Sequence, residues 1–112
     1  MSRKHPASDP ERNVWLQLGF PEAETHFLKA ELVLRLDRRM KSLKLTQQEA
    51  ARRIGATQPE LSKILRGKFS EVSLERLMRF LAALGHHIDI RIGTTERKTG
   101  EILVSDSRSR AA

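Results

Sequence analysis

The sequence of 112 residues contains no Cys, no Tyr and only five large aromatic side chains, one Trp and four Phe. Without Cys, neither a disulfide nor a thiolate metal site can form, which fits a reducing compartment. A core with so few aromatics must be built from Leu, Ile, Val and Ala, and this favours several short helices. No apolar run approaches the roughly 20 residues of a membrane span, and no signal peptide is evident. We therefore expect a soluble cytoplasmic protein with no membrane partner.

Acidic residues are scarce in one block of the chain. Residues 35–68 contain ten Lys and Arg but only three Asp and Glu, and this excess equals the net charge of the whole chain, +7. Outside the block the charges cancel. A polyanion is the obvious partner for such a block, and an ordinary solvated surface rich in Lys and Arg is the alternative.

The apolar pattern divides the chain into an arm and a helical domain. Residues 1–12 contain two Pro and almost no apolar side chain, which predicts a flexible arm. The domain, 13–85, opens with an apolar cluster at 14–20 that we expect to pack as a lid or one turn of helix. From Pro21 the apolar spacing of four and three predicts a long amphipathic helix. Its stripe comprises Leu28, Leu32, Leu36, Met40 and Leu43.

Two short helices are predicted to begin with the same capping device. Thr46 and Glu49 match the capping box, in which the Thr oxygen accepts an N–H and the Glu accepts the Thr N–H. Thr57 and Glu60 repeat the spacing. Gly55, between the two, can take the left-handed conformation that ends the first helix. A further helix is predicted after Ser73, which has the residue type and position of an N-cap.

The segment 46–67, TQQEAARRIGATQPELSKILRG, carries the strongest functional pattern. Ala51, Gly55 and Leu61 are placed at the contact of two short helices, where small residues permit a steep crossing. This arrangement resembles the helix-turn-helix of the phage-repressor and Cro-like (XRE) family, closely over these residues and more loosely over 28–84. The resemblance implies an all-α, five-helix lambda-repressor-like domain. The residue pattern after this domain predicts in addition a short C-terminal β-strand or hairpin.

In that geometry the second helix lies in the major groove of double-stranded DNA, and the first crosses the backbone. Gln58 could bond adenine and Lys63 guanine, whereas Pro59 offers only apolar contact. The resemblance implies as base-contacting residues Thr57, Gln58, Pro59, Ser62 and Lys63. It implies as DNA-backbone contacts Lys44, Thr46, Gln47, Arg66 and Lys68.

The flanks resemble the HigA-type antitoxin branch of the same family. The elements that carry this resemblance are LGFPEAE, KAELVLRLDRRMKSLKLTQ and LGHHIDIRI. It implies an autorepressor of a toxin–antitoxin operon with a RelE/HigB-like ribonuclease toxin as partner. The alternatives are a stand-alone or prophage-derived regulator, and a protein-binding toxin inhibitor with little DNA role.

After Gly85 the apolar period changes to two. Ile88, Ile90 and Ile92 alternate with polar residues, which predicts a half-buried strand within a β extension, 86–104. A single strand must pair with another strand, and the sequence allows three partners. These are residues 102–104, an edge strand of a toxin, or the same strand of a second subunit. The three Ile are therefore candidate dimerisation residues of a homodimer. Residues 105–112 are predicted to be a disordered tail.

Catalytic and metal sites are not indicated. His86 and His87 are adjacent on the predicted strand and point to opposite faces, so at most one could join Asp89 at a metal. The sequence contains no Gly-rich phosphate loop and no convincing nucleophile–base set. Stacking aromatics typical of RNA-binding proteins are also missing from the basic block. We expect no enzyme activity, no cofactor and no metal.

Overall fold

A computed structural model describes residues 21–107 of the chain. The predicted arm (1–12), the predicted lid (14–20) and residues 108–112 of the predicted tail lie outside the described residues. The all-α prediction is confirmed. The count of five helices is not supported, because the fifth was expected before Pro21 and residues 21–107 form four. These are α1 (Pro21–Ser42), α2 (Gln47–Ile54), α3 (Gln58–Leu65) and α4 (Leu74–Ala83).

Helix α1 is the longest of the four helices and buries one face in the core. Its predicted apolar stripe faces the core, with Leu28, Leu32, Leu36 and Met40 buried and Leu43 partly buried. The helix ends at Ser42, and Lys44, two residues later, adopts a left-handed conformation at φ 58°. This reversal turns the chain directly into α2. No helix among residues 21–107 is long and apolar enough to cross a membrane.

A single aliphatic core joins the four helices. The buried residues of helix α2 are Ala50 and Ala51, which let its backbone approach its neighbours closely, and Ile54 packs against the core from a partly buried position. Leu61 and Ile64 contribute larger side chains from α3, and both are at most 1 % exposed. The remaining large contributions come from α4 and the turn before it: Phe69, Val72, Leu77, Phe80, Leu81 and Leu84.

The end of α4 depends on one glycine. Gly85 has φ 96°, and the next N–H, of His86, donates to the Leu81 carbonyl at 3.0 Å. A Cβ at Gly85 would lie only 2.7 Å from the Arg39 guanidinium, which donates to the Leu84 carbonyl at 2.7 Å. The positive φ of Gly85 therefore favours glycine at this position, and a Cβ there would also require the end of the Arg39 side chain to shift.

The predicted C-terminal strand is not formed within residues 21–107 of the chain. No part of residues 86–107 is in a strand, so neither the strand 88–92 nor its hairpin with 102–104 is formed. The alternation of Ile with polar residues specifies two faces, but a strand also needs a partner for its backbone. Ile90 and Ile92 are 70 % and 92 % exposed, and no second segment among residues 21–107 covers them.

After residue 103 the chain contacts the helices again. Val104 packs against the core, and the Asp106 carboxylate accepts a hydrogen bond from Arg35 Nε at 2.6 Å. Asp106 belongs to the segment predicted as a tail, yet it is placed against α1. Residues 86–103 consequently form a loop that is attached to the helical body at both ends.

Candidate nucleic-acid interface

Helix α2 begins at a complete capping box. The Thr46 hydroxyl accepts from the Glu49 N–H at 3.1 Å, and the Glu49 carboxylate accepts from the Thr46 N–H at 2.9 Å. The predicted box is confirmed here. The bond from the Thr46 backbone is the main reason that the pKa of Glu49 lies below its usual value. The geometry fixes the start of α2, where backbone amides and a positive dipole end face solvent.

Helix α3 begins with the same residue pattern but in a different arrangement. The Thr57 hydroxyl accepts from the Glu60 N–H at 3.2 Å, whereas the reciprocal hydrogen bond is not formed. Both oxygens of the Glu60 carboxylate instead accept from the Arg76 guanidinium on α4. This pairing is the main cause of the lowered pKa of Glu60, to which the nearby Thr57 N–H adds the smallest contribution.

Arg76 is a residue that the sequence alone did not single out. Besides binding Glu60, its guanidinium carbon lies 4.9 Å from the centroid of the Phe80 ring. Arg76 thus connects the N-terminal turn of α3 to α4, which itself packs on α1. Because 16 residues separate Glu60 from Arg76, no local spacing rule could reveal the pair.

The first residues of α2 and α3 are joined by their side chains. The Gln58 Nε2 donates to the Gln47 Oε1 at 3.0 Å. Gln58 is exposed and Gln47 is partly exposed, so neither amide is needed by the core. Each amide keeps donors free for a ligand. The bond places one group predicted to contact a base beside one predicted to contact a phosphate.

The outer face of α3 carries the predicted base-contacting residues. Leu61 and Ile64 turn inward, which leaves the opposite side of the helix to solvent. Ser62 is only partly exposed, and its hydroxyl accepts from Arg66 Nη1 at 2.8 Å. Arg66, predicted as a backbone contact, is therefore held beside the same face. The exposed members of that face are Thr57, Gln58, Pro59 and Lys63.

The helix pair and the turns beside it carry several exposed cations. Within residues 21–107, no ion pair is formed by Lys44, Arg52, Arg53, Lys63 or Lys68. All five are exposed. The two Arg at the end of α2 were not among the predicted contacts, although they lie in the basic block. Exposed amide and cationic groups of this kind can bind phosphates and the edges of bases.

Comparison with known proteins places the chain in a family. Residues 14–93 match the family model described as "Helix-turn-helix domain". The chain belongs to this helix-turn-helix family. A solved structure provisionally described as an XRE family transcriptional regulator superimposes on it with a TM-score of 0.69 and 31 % sequence identity, covering 80 % of this chain and 100 % of the other. No curated protein matched the chain.

The XRE-type resemblance is thereby confirmed, and XRE-type helix-turn-helix proteins bind DNA. The finer assignment to the HigA-type branch stays a prediction. The family match includes residues 14–20, which lie outside the described residues. It also includes the segment with Ile88, Ile90 and Ile92, all of which are exposed.

The histidines beside that segment form no metal site. Within the part of the chain that the structure describes, no three His, Cys, Asp or Glu side chains could hold a metal ion together. Burial, reinforced by the nearby Arg39, lowers the pKa of His86 below its usual value. His86 is partly buried beside the end of α4, where its backbone N–H donates to the Leu81 carbonyl.

Proposed function

We propose that this helix-turn-helix protein is a sequence-specific DNA-binding transcriptional regulator that inserts α3 into the major groove of its operator. The observation that carries the proposal is the exposed Gln47–Gln58 hydrogen bond, in a helix pair whose exposed Arg52, Arg53 and Lys63 form no ion pair within residues 21–107. A solvent-exposed amide pair of this kind contributes little to folding. Its free donors are suited to a ligand that presents a phosphate and a base edge side by side.

Each helix has a distinct role in this proposal. The start of α2, with Thr46 and Gln47, lies against a phosphate, where the helix dipole and free amides favour negative charge. Gln58 and Lys63 contact base edges, and each good paired contact discriminates by about 1–3 kcal/mol. Arg66, held by Ser62, lies at the edge of the same face and contacts the adjoining backbone.

The test is binding to the protein's own promoter fragment across a salt series, with a scrambled duplex of equal length as control. We expect tighter binding to the promoter and a steep loss of affinity as salt rises, because bound cations displace counterions. Lys63→Ala should lower promoter preference, whereas Lys98→Ala, an equal charge change outside the face, should not. Equal weak binding to both duplexes would contradict the proposal.

A finer proposal is that the regulator is an antitoxin-type autorepressor that acts as a homodimer in the cytoplasm and catalyses no reaction. It is supported by the family match, which spans the flanking elements as well as the helix pair. If a RelE/HigB-like toxin is encoded beside the gene, the purified toxin should bind this protein and change its promoter affinity. Promoter binding that no neighbouring toxin alters would favour a stand-alone or prophage-derived regulator. Toxin inhibition without promoter binding would favour a protein-binding inhibitor.

A further inference from the structure

The loop after α4 presents an unused backbone edge. Residues 87–92 form no backbone–backbone hydrogen bond with any other residue in 21–107, and none of them has a positive φ. The start of the loop is fixed by the bond from His86 to Leu81. A short segment with free N–H and C=O groups and exposed Ile side chains is a template for pairing with another strand.

The charges of this segment indicate which strand it fits. Asp89 and Arg91 flank Ile90, and both side chains are exposed. Arg91 Nε lies 3.5 Å from the Asp89 Oδ2 atom. When two copies of IDIRI run antiparallel about Ile90, each Asp89 lies directly opposite the Arg91 of the other copy. The same register places the Ile side chains of both copies together on the opposite face. The segment is thus complementary to itself in charge and in polarity.

We propose that residues 88–92 pair antiparallel with the same residues of a second copy of this chain, with the two-fold axis at Ile90. This deepens the homodimer of the proposed function by naming its contact and register. Registers centred on Asp89 or on Arg91 are disfavoured, because they place like charges opposite each other, and a register centred on Ile88 or Ile92 leaves Asp89 and Arg91 without their cross-strand partners. A parallel two-fold pair also places like charges opposite each other. The two-fold axis then relates two α3 helices, which matches a palindromic operator.

Charge reversal tests the register. The dissociation constant of the dimer is measured by sedimentation equilibrium for wild type, Asp89→Arg, Arg91→Asp and the double variant. Each single variant places like charges at both cross-strand positions, so its dissociation constant should rise about tenfold. The double variant exchanges the charges and should return to within about threefold of wild type. Both sites are exposed, and circular dichroism checks that the helices are retained.

Mixing the two single variants gives the decisive measurement. An Asp89→Arg chain and an Arg91→Asp chain are complementary to each other, so the mixture should form a heterodimer of near wild-type affinity. A wild-type monomer, single variants that dimerise normally, or a mixture that stays monomeric would each overturn the pairing. These outcomes can be distinguished from those of the promoter test. If the protein binds its promoter specifically but the single charge variants dimerise as tightly as wild type, the dimer contact lies elsewhere. Failed promoter binding with the expected charge effects contradicts the regulator and supports the pairing.

Discussion

Helices α2 and α3 begin with the same Thr-x-x-Glu pattern and hold their first turns in different ways. At α2 the Glu49 carboxylate bonds back to Thr46, so the helix start is completed by residues three apart. At α3 the Glu60 carboxylate is bound by Arg76 of another helix. The helix proposed to cross the DNA backbone is thus capped locally. The helix proposed to enter the groove is oriented by a tertiary contact, which links its placement to the rest of the fold.

Packing should show the largest difference between the two helices. Leu61→Ala empties a site that is 0 % exposed and should lower the free energy of unfolding by about 2–5 kcal/mol. Ala51→Gly in α2 removes one methyl group and helix propensity, at about 1 kcal/mol. Urea denaturation measures both, with Lys63→Ala as an exposed control expected within about 0.5 kcal/mol of wild type. A reversed order would mean that α2 carries more of the core than its Ala residues indicate.

Substituting the two hydrogen-bonded glutamines, Gln47 and Gln58, should distinguish phosphate contact from base contact in DNA binding. Gln58→Ala on α3 should reduce discrimination at one operator position by about 1–3 kcal/mol, because a base contact is lost. Gln47→Ala on α2 should weaken binding to all sequences alike, because a phosphate contact carries no sequence information. Titration against a set of single-base operator variants measures both. Identical profiles for the two substitutions would show that the amide pair acts as one unit.

The caps should show a smaller contrast. Thr46→Ala disrupts a reciprocal pair of bonds and should cost about 1–2 kcal/mol, whereas Thr57→Ala removes one bond and should cost about 0.5–1 kcal/mol. Thr→Ser at each position keeps the hydroxyl and serves as the control. Thermal or urea unfolding measures the four variants. Equal costs at the two positions would indicate that Glu60 contributes to the cap of α3 despite its bond to Arg76.

The helices and the loop after them differ in how far they could be predicted from the sequence. The apolar stripe of α1 and the capping box at Thr46 depend on spacings of three and four residues, which the helix itself imposes. Gln47 and Gln58 were each placed on the DNA-facing side, but the bond between them depends on how the helices cross. The Glu60–Arg76 contact depends on the packing of α4. At Ile90 the alternation was recognised, but it specifies two faces and not the partner that a strand requires.

The smallest expected effect is on the titration of the two carboxylates. In wild type both pKa values lie below the ordinary value of 4.5. Arg76→Gln should raise the pKa of Glu60 towards that value and leave the pKa of Glu49 unchanged, because the partner of Glu49 is Thr46. NMR titration of the side-chain carboxyl groups measures both pKa values in one sample.

The sign of the pH effect on stability follows from the lowered pKa of Glu60. A carboxylate whose pKa is depressed by folding stabilises the protein above its unfolded pKa, and the gain is lost as pH falls through the folded value. The stability difference between wild type and Glu60→Gln should therefore be largest at neutral pH and should disappear well below pH 4.5. Since Arg76 is partly exposed, the difference at neutral pH should be about 0.5–1 kcal/mol. A difference that persists unchanged at low pH would show that Glu60 orients α3 through packing and not through its charge.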